Sequence, residues 1–219
     1  MAFNRKANVT EKIAGHEIVA PQLGRSTMQW QRGSGTDSDG QDTNSKYAPT
    51  RILTSIAKSI IIYFSRSGST ELLAAKLADR TGADLLEIVA KNPYPGRYLS
   101  TLSRANQERE SDDYPELMMD IPDLSQYDTV FLGYPIWAMT LSHPMVSFLS
   151  EYGSLLNNKR IIPFMSQGSY GQGDSVQRIG RILQGQGVNA DIYSRPLVID
   201  GNKVDQADLQ ISQWLKRIN

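Results

Sequence analysis

The sequence predicts an α/β fold in which a parallel sheet carries helices on both faces. Five short apolar segments between residues 56 and 200, rich in Ile, Val, Leu and Phe, are typical of strands buried on both sides. Segments with helical spacing of apolar residues separate them, and this alternation is typical of parallel strands joined by right-handed crossovers. In such sheets ligands bind beyond the carboxyl ends of the strands. The loops that follow the strands are therefore the candidate binding segments.

Composition and charge limit the possible function classes. The 219 residues are 40% hydrophobic and 21% charged, as in an ordinary globular protein. The 23 basic and 23 acidic residues give a formal net charge of zero, which argues against a nucleic-acid-binding surface. Because there is no cysteine, disulfides, thiolate nucleophiles and cysteine-bound metals are excluded, and no cluster of histidines and carboxylates predicts another metal site. No apolar run is long enough for a membrane span and no secretory signal is evident, so we expect a cytoplasmic protein.

The first quarter of the chain, residues 1–54, differs from the rest and is predicted to be a flexible N-terminal extension or linker. Residues 33–45 are almost all Gly, Ser, Asp, Asn, Gln and Thr, which is the composition of a flexible linker. Before them, apolar residues such as Ile13, Ile18 and Trp30 are too few to form a core of their own. They are compatible with a short strand, or with an arm that packs on the main domain or on a partner subunit. The main domain is assigned to residues 55–219.

The first strand, residues 60–64, leads into a turn rich in hydroxyl groups and then into a helix. The turn reads Ser-Arg-Ser-Gly-Ser-Thr over residues 65–70. A helix N-terminus presents unpaired backbone N–H groups and a partial positive charge, and Gly68 allows the backbone to approach a ligand closely. The sequence has neither the lysine of a nucleoside triphosphatase loop nor the G-x-G-x-x-G pattern, so the turn predicts a monophosphate site lined by hydroxyls. The alternative is structural, with Ser67 or Ser69 capping the helix.

The second unit combines a strand at residues 84–89 with a polar helix at about residues 98–109. Four acidic residues lie at the end of this helix and beyond it: Glu108, Glu110, Asp112 and Asp113. Carboxylates act as acids or bases only in a buried setting, which this polar stretch does not indicate. We therefore predict a solvated face and loop.

The third strand, residues 129–133, is followed by a segment of large apolar side chains at residues 134–140. Loops lie on the surface and are generally polar, so this composition is unusual for a connection. The segment either packs back on the core or forms the wall of an apolar slot for a flat ligand. A helix is predicted to begin near Met145.

The fourth strand, residues 160–165, is followed by a loop with three glycines that allow close approach of the backbone to a ligand. The alternative for this loop is a plain flexible turn into the next helix, predicted at about residues 174–183. A fifth strand is predicted within residues 190–199 and a final amphipathic helix within residues 205–218. Trp214 of that helix is predicted to lie in the core.

Three strand-and-loop sequences, taken jointly, resemble the flavodoxin family: YFSRSGST from Tyr63, GYPIW from Gly133 and IIPF from Ile161. The resemblance extends from about Lys58 to the C-terminus. It implies a flavodoxin-like, doubly wound five-stranded parallel sheet with strand order 2-1-3-4-5 and helices on both faces. It also implies FMN as a non-covalent cofactor, with the phosphate in the first loop and the isoalloxazine ring between the second and third loops.

Carried over by position, the resemblance assigns cofactor-binding roles to three groups of residues. The phosphate would be held by Ser65, Arg66, Ser67, Gly68, Ser69 and Thr70. One side of the ring would be lined by Pro135, Ile136, Trp137, Ala138, Met139 and Thr140. The other side would be lined by Ser166, Gln167, Gly168, Ser169 and Gly171. No catalytic residue and no metal ligand is assigned.

Three positions near these loops leave alternatives open. Ala138 and Met139 stand where many relatives carry Trp-Gly, so one stacking surface and a flexible glycine peptide are missing. Tyr170 would either cap the ring or face water. His143 is either a side chain at the start of a helix or a proton donor at the edge of the flavin.

The resemblance implies a redox protein that transfers electrons through FMN between partner proteins. The alternative is an FMN-dependent NAD(P)H oxidoreductase that acts on small aromatic compounds such as quinones, azo or nitro compounds. A third possibility is a module that kept the fold and lost the cofactor, and the intact hydroxyl pattern of the first loop argues against it. Neither nucleic acid nor a membrane is expected as a partner, and the oligomeric state is left open.

Overall fold

The described part of the chain comprises residues 11–34, 37 and 47–218 of a computed structural model. Its strands are β1 (Lys12–Ile13), β2 (His16–Glu17), β3 (Arg51–Ile52), β4 (Ser59–Tyr63), β5 (Asp84–Glu87), β6 (Thr129–Trp137), β7 (Thr140–Leu141), β8 (Arg160–Gln167), β9 (Asp191–Ile192) and β10 (Leu197–Asp200). Its α-helices are α1 (Thr27–Trp30), α2 (Ser69–Thr81), α3 (Tyr98–Ser111), α4 (His143–Tyr152), α5 (Ser175–Gly185) and α6 (Asp208–Ile218). Short 3₁₀ helices occur at Gln31–Gly33, Gly153–Leu156 and Gly201–Gln206.

Five parallel strands form the centre of the sheet. β4 lies between β5 and β6, and the sheet continues from β6 through β8 to β10. The order β5-β4-β6-β8-β10 corresponds to the predicted order 2-1-3-4-5, so the predicted fold is confirmed. β9 pairs in parallel with the start of β8, whereas β3 adds an antiparallel strand at the outer edge of β5. None of the described helices is long and apolar enough to span a membrane.

Alternate residues of the central strand β4 face opposite sides of the sheet. Ile60 and Ile62 belong to the apolar cluster that includes residues of α4 and α5. Ile61 and Tyr63 belong to the cluster that includes residues of α2 and α6, and all four side chains have no exposed surface. Burial on both faces explains why the strand is a continuous apolar run rather than an alternating one. Trp214 packs in the second cluster with 5% of its surface exposed, which confirms its predicted place in the core.

Residues 11–34 pack on the side of the sheet that carries α2 and α6. Ile13 and Ile18 are buried in the same apolar cluster as those helices. Trp30 is also buried, with 1% of its surface exposed. Of the arrangements that the sequence left open, the structure shows an arm on the main domain. Most of the predicted linker at residues 33–45 lies outside the described residues.

The apolar segment at residues 134–140 is a β-hairpin, so its prediction as a loop was wrong. β6 continues to Trp137, and β7 returns antiparallel to it with Trp137 paired to Thr140. The turn consists of Ala138 and Met139, whose φ angles are +47° and +63°. Both residues therefore adopt the left-handed conformation that two-residue hairpin turns require. Since neither Gly nor Asn occurs in this turn, no local residue pattern predicts a turn there.

Candidate functional site

A cavity of about 450 Å³ lies where the segments that follow β4, β6 and β8 converge. Its volume falls in the range of small-molecule sites. The predicted site residues that line it are Ser65, Arg66, Ser67, Ser69, Thr70, Pro135, Ile136, Trp137, Ala138, Met139, Ser166, Gln167 and Gly168. The structure thus brings the three predicted groups together around one space.

Four of the residues assigned by the resemblance do not line the cavity: Gly68, Thr140, Ser169 and Gly171. Gly68 faces the N-terminal arm instead, because a Cβ atom built on it would lie 2.0 Å from the carbonyl oxygen of Val19. Thr140 lies on the returning strand of the hairpin, and its Oγ1 accepts a hydrogen bond from Arg178 at 3.4 Å. Gly68 and Thr140 therefore contact neighbouring elements rather than the cavity.

The first loop ends in a helix N-terminus that no side chain caps. The N-cap residue of α2 is Gly68, with φ +80° and no side-chain hydrogen bond to the first turn. Neither serine proposed as a cap fills that role. The hydroxyl of Ser69 donates to the carbonyl oxygen of Gly201 at 2.9 Å, and the hydroxyl of Ser67 accepts from the side-chain amide of Gln22. Both serines therefore bond to other segments of the chain, and the capping role that the structural alternative gave them is not what the structure shows.

This end of the cavity has the chemistry of an anion site. Ser65 is 2% exposed, and its Oγ has no hydrogen-bond partner among the described residues. An unpaired buried hydroxyl is unfavourable unless a ligand completes its hydrogen bonds. Together with the positive end of α2 and the buried guanidinium of Arg66, it fits a phosphate group.

The hairpin supplies an aromatic wall. The ring of Trp137 is in edge-to-face contact with Tyr94, His143 and Phe64, with centroid distances of 5.0, 5.5 and 5.8 Å. These contacts hold the indole in one position beside the cavity. Such a wall suits a flat aromatic ligand.

The third loop is tied to the first by a hydrogen bond between two hydroxyls. Thr70 Oγ1 and Ser166 Oγ lie 2.8 Å apart, and both residues are buried. Further along this loop, Tyr170 lines the cavity although 61% of its surface is exposed. Its hydroxyl accepts a hydrogen bond from Arg32 at 2.9 Å, and the guanidinium carbon lies 5.0 Å from the ring centroid. Tyr170 therefore stands at the mouth of the cavity, with one side toward solvent.

The N-terminal arm forms a further wall that the sequence analysis missed. The lining residues from this arm are Gln22, Trp30, Arg32, Gly33 and Ser34. They match no motif and lie in a segment without regular periodicity, so the sequence carries no signal for them. Helix α3, the 3₁₀ helix after β10 and the start of α4 complete the lining with Tyr98, Thr101, Leu102, Ala105, Asn106, Arg109, Gly201 and His143.

Glu108 is a buried carboxylate, so its prediction as part of a solvated face was wrong. It is 8% exposed and accepts hydrogen bonds from Tyr94 at 2.6 Å and Arg104 at 2.7 Å. His143 Nδ1 lies 2.7 Å from Oε2 of Glu108, the oxygen that also accepts the hydrogen bond from Tyr94. Burial opposes ionisation of Glu108, but the hydrogen bonds from His143, Tyr94 and Arg104 outweigh it and hold the pKa of the carboxyl below its ordinary value.

This carboxylate fixes the orientation of a histidine in the cavity wall. Because an ionised carboxylate only accepts hydrogen bonds, Nδ1 of His143 carries a proton. The remaining ring nitrogen, Nε2, has no hydrogen-bond partner among the described residues, and His143 lines the cavity. The arrangement can hold a proton donor or acceptor at this end of the site.

Comparisons with known proteins agree with this architecture. A family model described as flavodoxin matches residues 58–210. A provisionally named flavoprotein from Bacteroides eggerthii DSM 20697 is 26% identical, with a TM-score of 0.60 over 74% of this chain and 98% of that chain. A similarly named protein from Bacteroides uniformis ATCC 8492 is 23% identical, with a TM-score of 0.60 over 73% of this chain and 98% of that chain.

A third solved structure is a flavoprotein from Lactobacillus acidophilus NCFM in complex with FMN. It is 21% identical, with a TM-score of 0.55 over 68% of this chain and 97% of that chain. No curated protein matches the chain. The family match begins after the N-terminal arm, so that wall of the cavity lies outside it.

Proposed function

The chain belongs to the flavodoxin family, and we propose that it binds FMN non-covalently in the cavity and transfers electrons through it. Bound FMN supplies reversible electron transfer at its isoalloxazine ring. The observation that carries the proposal is the polar end of the cavity, where the unpartnered hydroxyl of Ser65 lies beside the uncapped N-terminus of α2. Among the described residues, no side chain forms a hydrogen bond with the Ser65 hydroxyl, and none is recorded as capping α2.

Different residues of the cavity would bind different parts of FMN. The first loop would hold the phosphate with the hydroxyls of Ser65 and Thr70 and with backbone N–H groups of α2. Trp137 would provide the aromatic surface for the ring. Burial of the flavin against these groups would tune its reduction potential.

A carrier needs a flavin edge that a partner protein can reach. Met139 and Tyr170 line the cavity and are 43% and 61% exposed, so they mark its open side. We propose that a redox partner protein docks there and exchanges electrons over a short distance. Transient docking of this kind depends on complementary charges around the mouth.

A second candidate function is an FMN-dependent NAD(P)H oxidoreductase acting on quinone, azo or nitro compounds. The observation that favours it is the pair formed by Glu108 and His143 in the cavity wall. A quinone that takes up two electrons from the flavin also needs protons at its oxygens. The imidazolium form of His143 would donate one from Nε2 and would be reprotonated from water, while Glu108 holds the ring in position through Nδ1.

One spectroscopic experiment separates these functions. The purified full chain is incubated with FMN, freed of excess cofactor, and photoreduced without oxygen while its visible spectrum is recorded. Retention of FMN, accumulation of a one-electron-reduced spectrum and indifference to NADPH would establish the carrier. Direct two-electron bleaching and turnover of NADPH with a quinone would establish the oxidoreductase. A protein that retains no FMN would refute both.

The same assay also tests a prediction about one residue that follows from the oxidoreductase hypothesis. His143→Gln is expected to lower kcat for the quinone about 100-fold or more while FMN is retained. His16→Gln, which changes the other histidine of the chain outside the cavity, is the control and should leave turnover unchanged.

A further inference from the structure

We propose that residues 18–34, here called the strap, form the wall of the site around the FMN phosphate and restrict the site to flavins that end in a single phosphate. The strap lies outside the part of the chain that matches the family model. The inference rests on the proposed function and adds to it a determinant of cofactor choice.

The strap is held on the domain by buried apolar side chains and by polar contacts. Ile18, Leu23 and Trp30 are 2%, 8% and 1% exposed. Its short helix α1 carries a capping box between Ser26 and Gln29, in which each residue bonds to the backbone N–H of the other. The strap is therefore an ordered part of the domain surface.

Two glycines of the cofactor loops lie directly against the backbone of the strap. A Cβ atom on Gly68 of the first loop would lie 2.0 Å from the carbonyl oxygen of Val19. A Cβ atom on Gly168 of the third loop would lie 2.4 Å from the carbonyl oxygen of Arg32. Since any side chain at these positions would clash with backbone, both loops are shaped to receive the strap.

Gln22 connects the strap to the phosphate loop itself. Its side-chain nitrogen donates a hydrogen bond to the hydroxyl of Ser67. Its side-chain oxygen accepts one from Nε1 of Trp30 at 2.8 Å, which fixes the orientation of the amide. A Cβ atom on Gly201 would meet the same oxygen at 2.7 Å, so Gln22 is enclosed from that side as well.

These contacts place strap side chains at the end of the cavity where the phosphate is expected. FMN ends at its phosphate, whereas FAD continues from that point into a second phosphate and an adenosine. In FAD, this extension would have to pass Gln22, which is bonded to Ser67 of the first loop, and its partner Trp30, both of which line the cavity. Riboflavin has no phosphate and gains nothing from this wall.

The test measures dissociation constants of FMN, riboflavin and FAD for the full-length apoprotein by quenching of flavin fluorescence. Gln22→Ala removes the hydrogen bond to Ser67, so the Kd of FMN should rise about 3- to 10-fold while that of riboflavin stays the same. Trp30→Ala opens the wall, so the ratio of the FAD Kd to the FMN Kd should fall at least about 10-fold. Met28→Ala, on the same helix but 72% exposed and outside the cavity, is the matched control and should change none of these values.

Hydrogen exchange on the unmodified protein gives a second readout that does not depend on the variants. Bound FMN should slow exchange of strap amides, and riboflavin at equal saturation should slow it less. Unchanged FMN affinity in Gln22→Ala, equal losses for FMN and riboflavin in Gln22→Ala, or an unchanged ratio of the FAD Kd to the FMN Kd in Trp30→Ala would overturn the proposal. In those cases FMN still binds, whereas failure of the proposed function would appear as no FMN binding to the unmodified chain.

Discussion

Glu108 is a carboxylate that three donors hold in a largely buried position beside the cavity. Tyr94, Arg104 and His143 each contribute a hydrogen bond of 2.7 Å or less. Hydrogen bonds to a charged acceptor are stronger than those between neutral groups, and removal of one partner leaves buried donors unsatisfied. The residue thus links the stability of α3 to the position of a cavity side chain.

Glu108→Gln should make the protein less stable at neutral pH and less sensitive to acid. The pKa of Glu108 in the folded protein lies below its ordinary value of 4.5, so its contribution is complete above about pH 4.5 and is lost as the pH falls through the folded-state pKa. The amide cannot serve all three donors, which should lower the free energy of unfolding at pH 7 by about 1–3 kcal/mol. Urea unfolding between pH 7 and pH 3 should show a shallower acid-induced decline for the variant than for the unmodified protein.

Glu110→Gln is the control for this prediction. Glu110 lies on the same helix two residues further on, but it is exposed. Its replacement should leave both the stability at pH 7 and the slope of the acid limb close to those of the unmodified protein. Parallel acid limbs for Glu108→Gln and the unmodified protein would show that the network around Glu108 does not favour the ionised form.

The sequence places Glu108 in a run of acidic residues, where spacing alone predicts a solvated face. Its burial depends on Tyr94, in the loop after β5, and on His143, at the start of α4. Both are distant in sequence and are brought to α3 only by the fold. Residue roles that arise from such long-range contacts are not visible in local patterns.

At the scale of elements, the hairpin β6–β7 carries a strained turn. Ala138 and Met139 both have positive φ angles, a conformation that side chains with a Cβ atom disfavour. The tip is fixed from outside, since the N–H of Asp174 donates to the carbonyl oxygen of Met139 at 3.0 Å. Gly173 lies so close that a Cβ atom there would be 1.7 Å from the same oxygen. The strain persists because the neighbouring loop holds the turn in place.

Met139→Gly should therefore stabilise the protein. Glycine adopts the left-handed conformation without penalty, so we expect the free energy of unfolding to rise by about 0.5–1 kcal/mol and the melting temperature by about 1–4 °C. Met118→Gly makes the same replacement at an exposed residue whose φ angle is not positive, and it should destabilise slightly. Thermal unfolding of the two variants compares them directly. A loss of stability in both would show that side-chain contacts of Met139 outweigh the relief of backbone strain.

Elements with a strong local signal were predictable from sequence. The buried run in β4 and the helix after it follow from apolar composition and periodicity. The observed strand differs from the predicted one by one residue at each end, and the helix begins at Ser69, inside the predicted turn. The hairpin was not predictable, because its turn has no glycine or asparagine and its strands are too apolar to resemble a surface connection. Turn type there is imposed by tertiary contacts with residues 173–174.

At the scale of the whole molecule, the cavity draws on segments from almost the entire length of the chain. The parallel sheet brings the ends of β4, β6 and β8 to one edge, which is why the loops that follow strands could be predicted as binding segments from the α/β pattern and their composition. The strap reaches the same edge of the sheet by packing on α2 and α6. Its sequence has no periodic pattern from which this packing could be predicted. Binding of a cofactor in the cavity should therefore stabilise the whole fold rather than one segment of it.

Binding of FMN should raise the melting temperature of the full chain by mass action. At a free concentration of 100 times its Kd, a ligand that binds only the folded state stabilises it by about 2.7 kcal/mol, or roughly 5–10 °C for a chain of this size. Ser65→Ala removes the buried unpartnered hydroxyl from the cavity, so the apoprotein should be at least as stable as the unmodified one while the shift at a fixed FMN concentration shrinks.

Ser142→Ala is the matched variant, because Ser142 Oγ is also buried without a partner among the described residues but lies outside the cavity. Without FMN, the melting temperature of Ser142→Ala should match that of Ser65→Ala. Its FMN-dependent rise in melting temperature should equal that of the unmodified protein. Calorimetric scans of the three proteins at increasing FMN concentration measure both quantities. If Ser65→Ala kept the full FMN-dependent shift, the hydroxyl would not contact the cofactor, and the phosphate would be held by the backbone of α2 and the other loop hydroxyls alone.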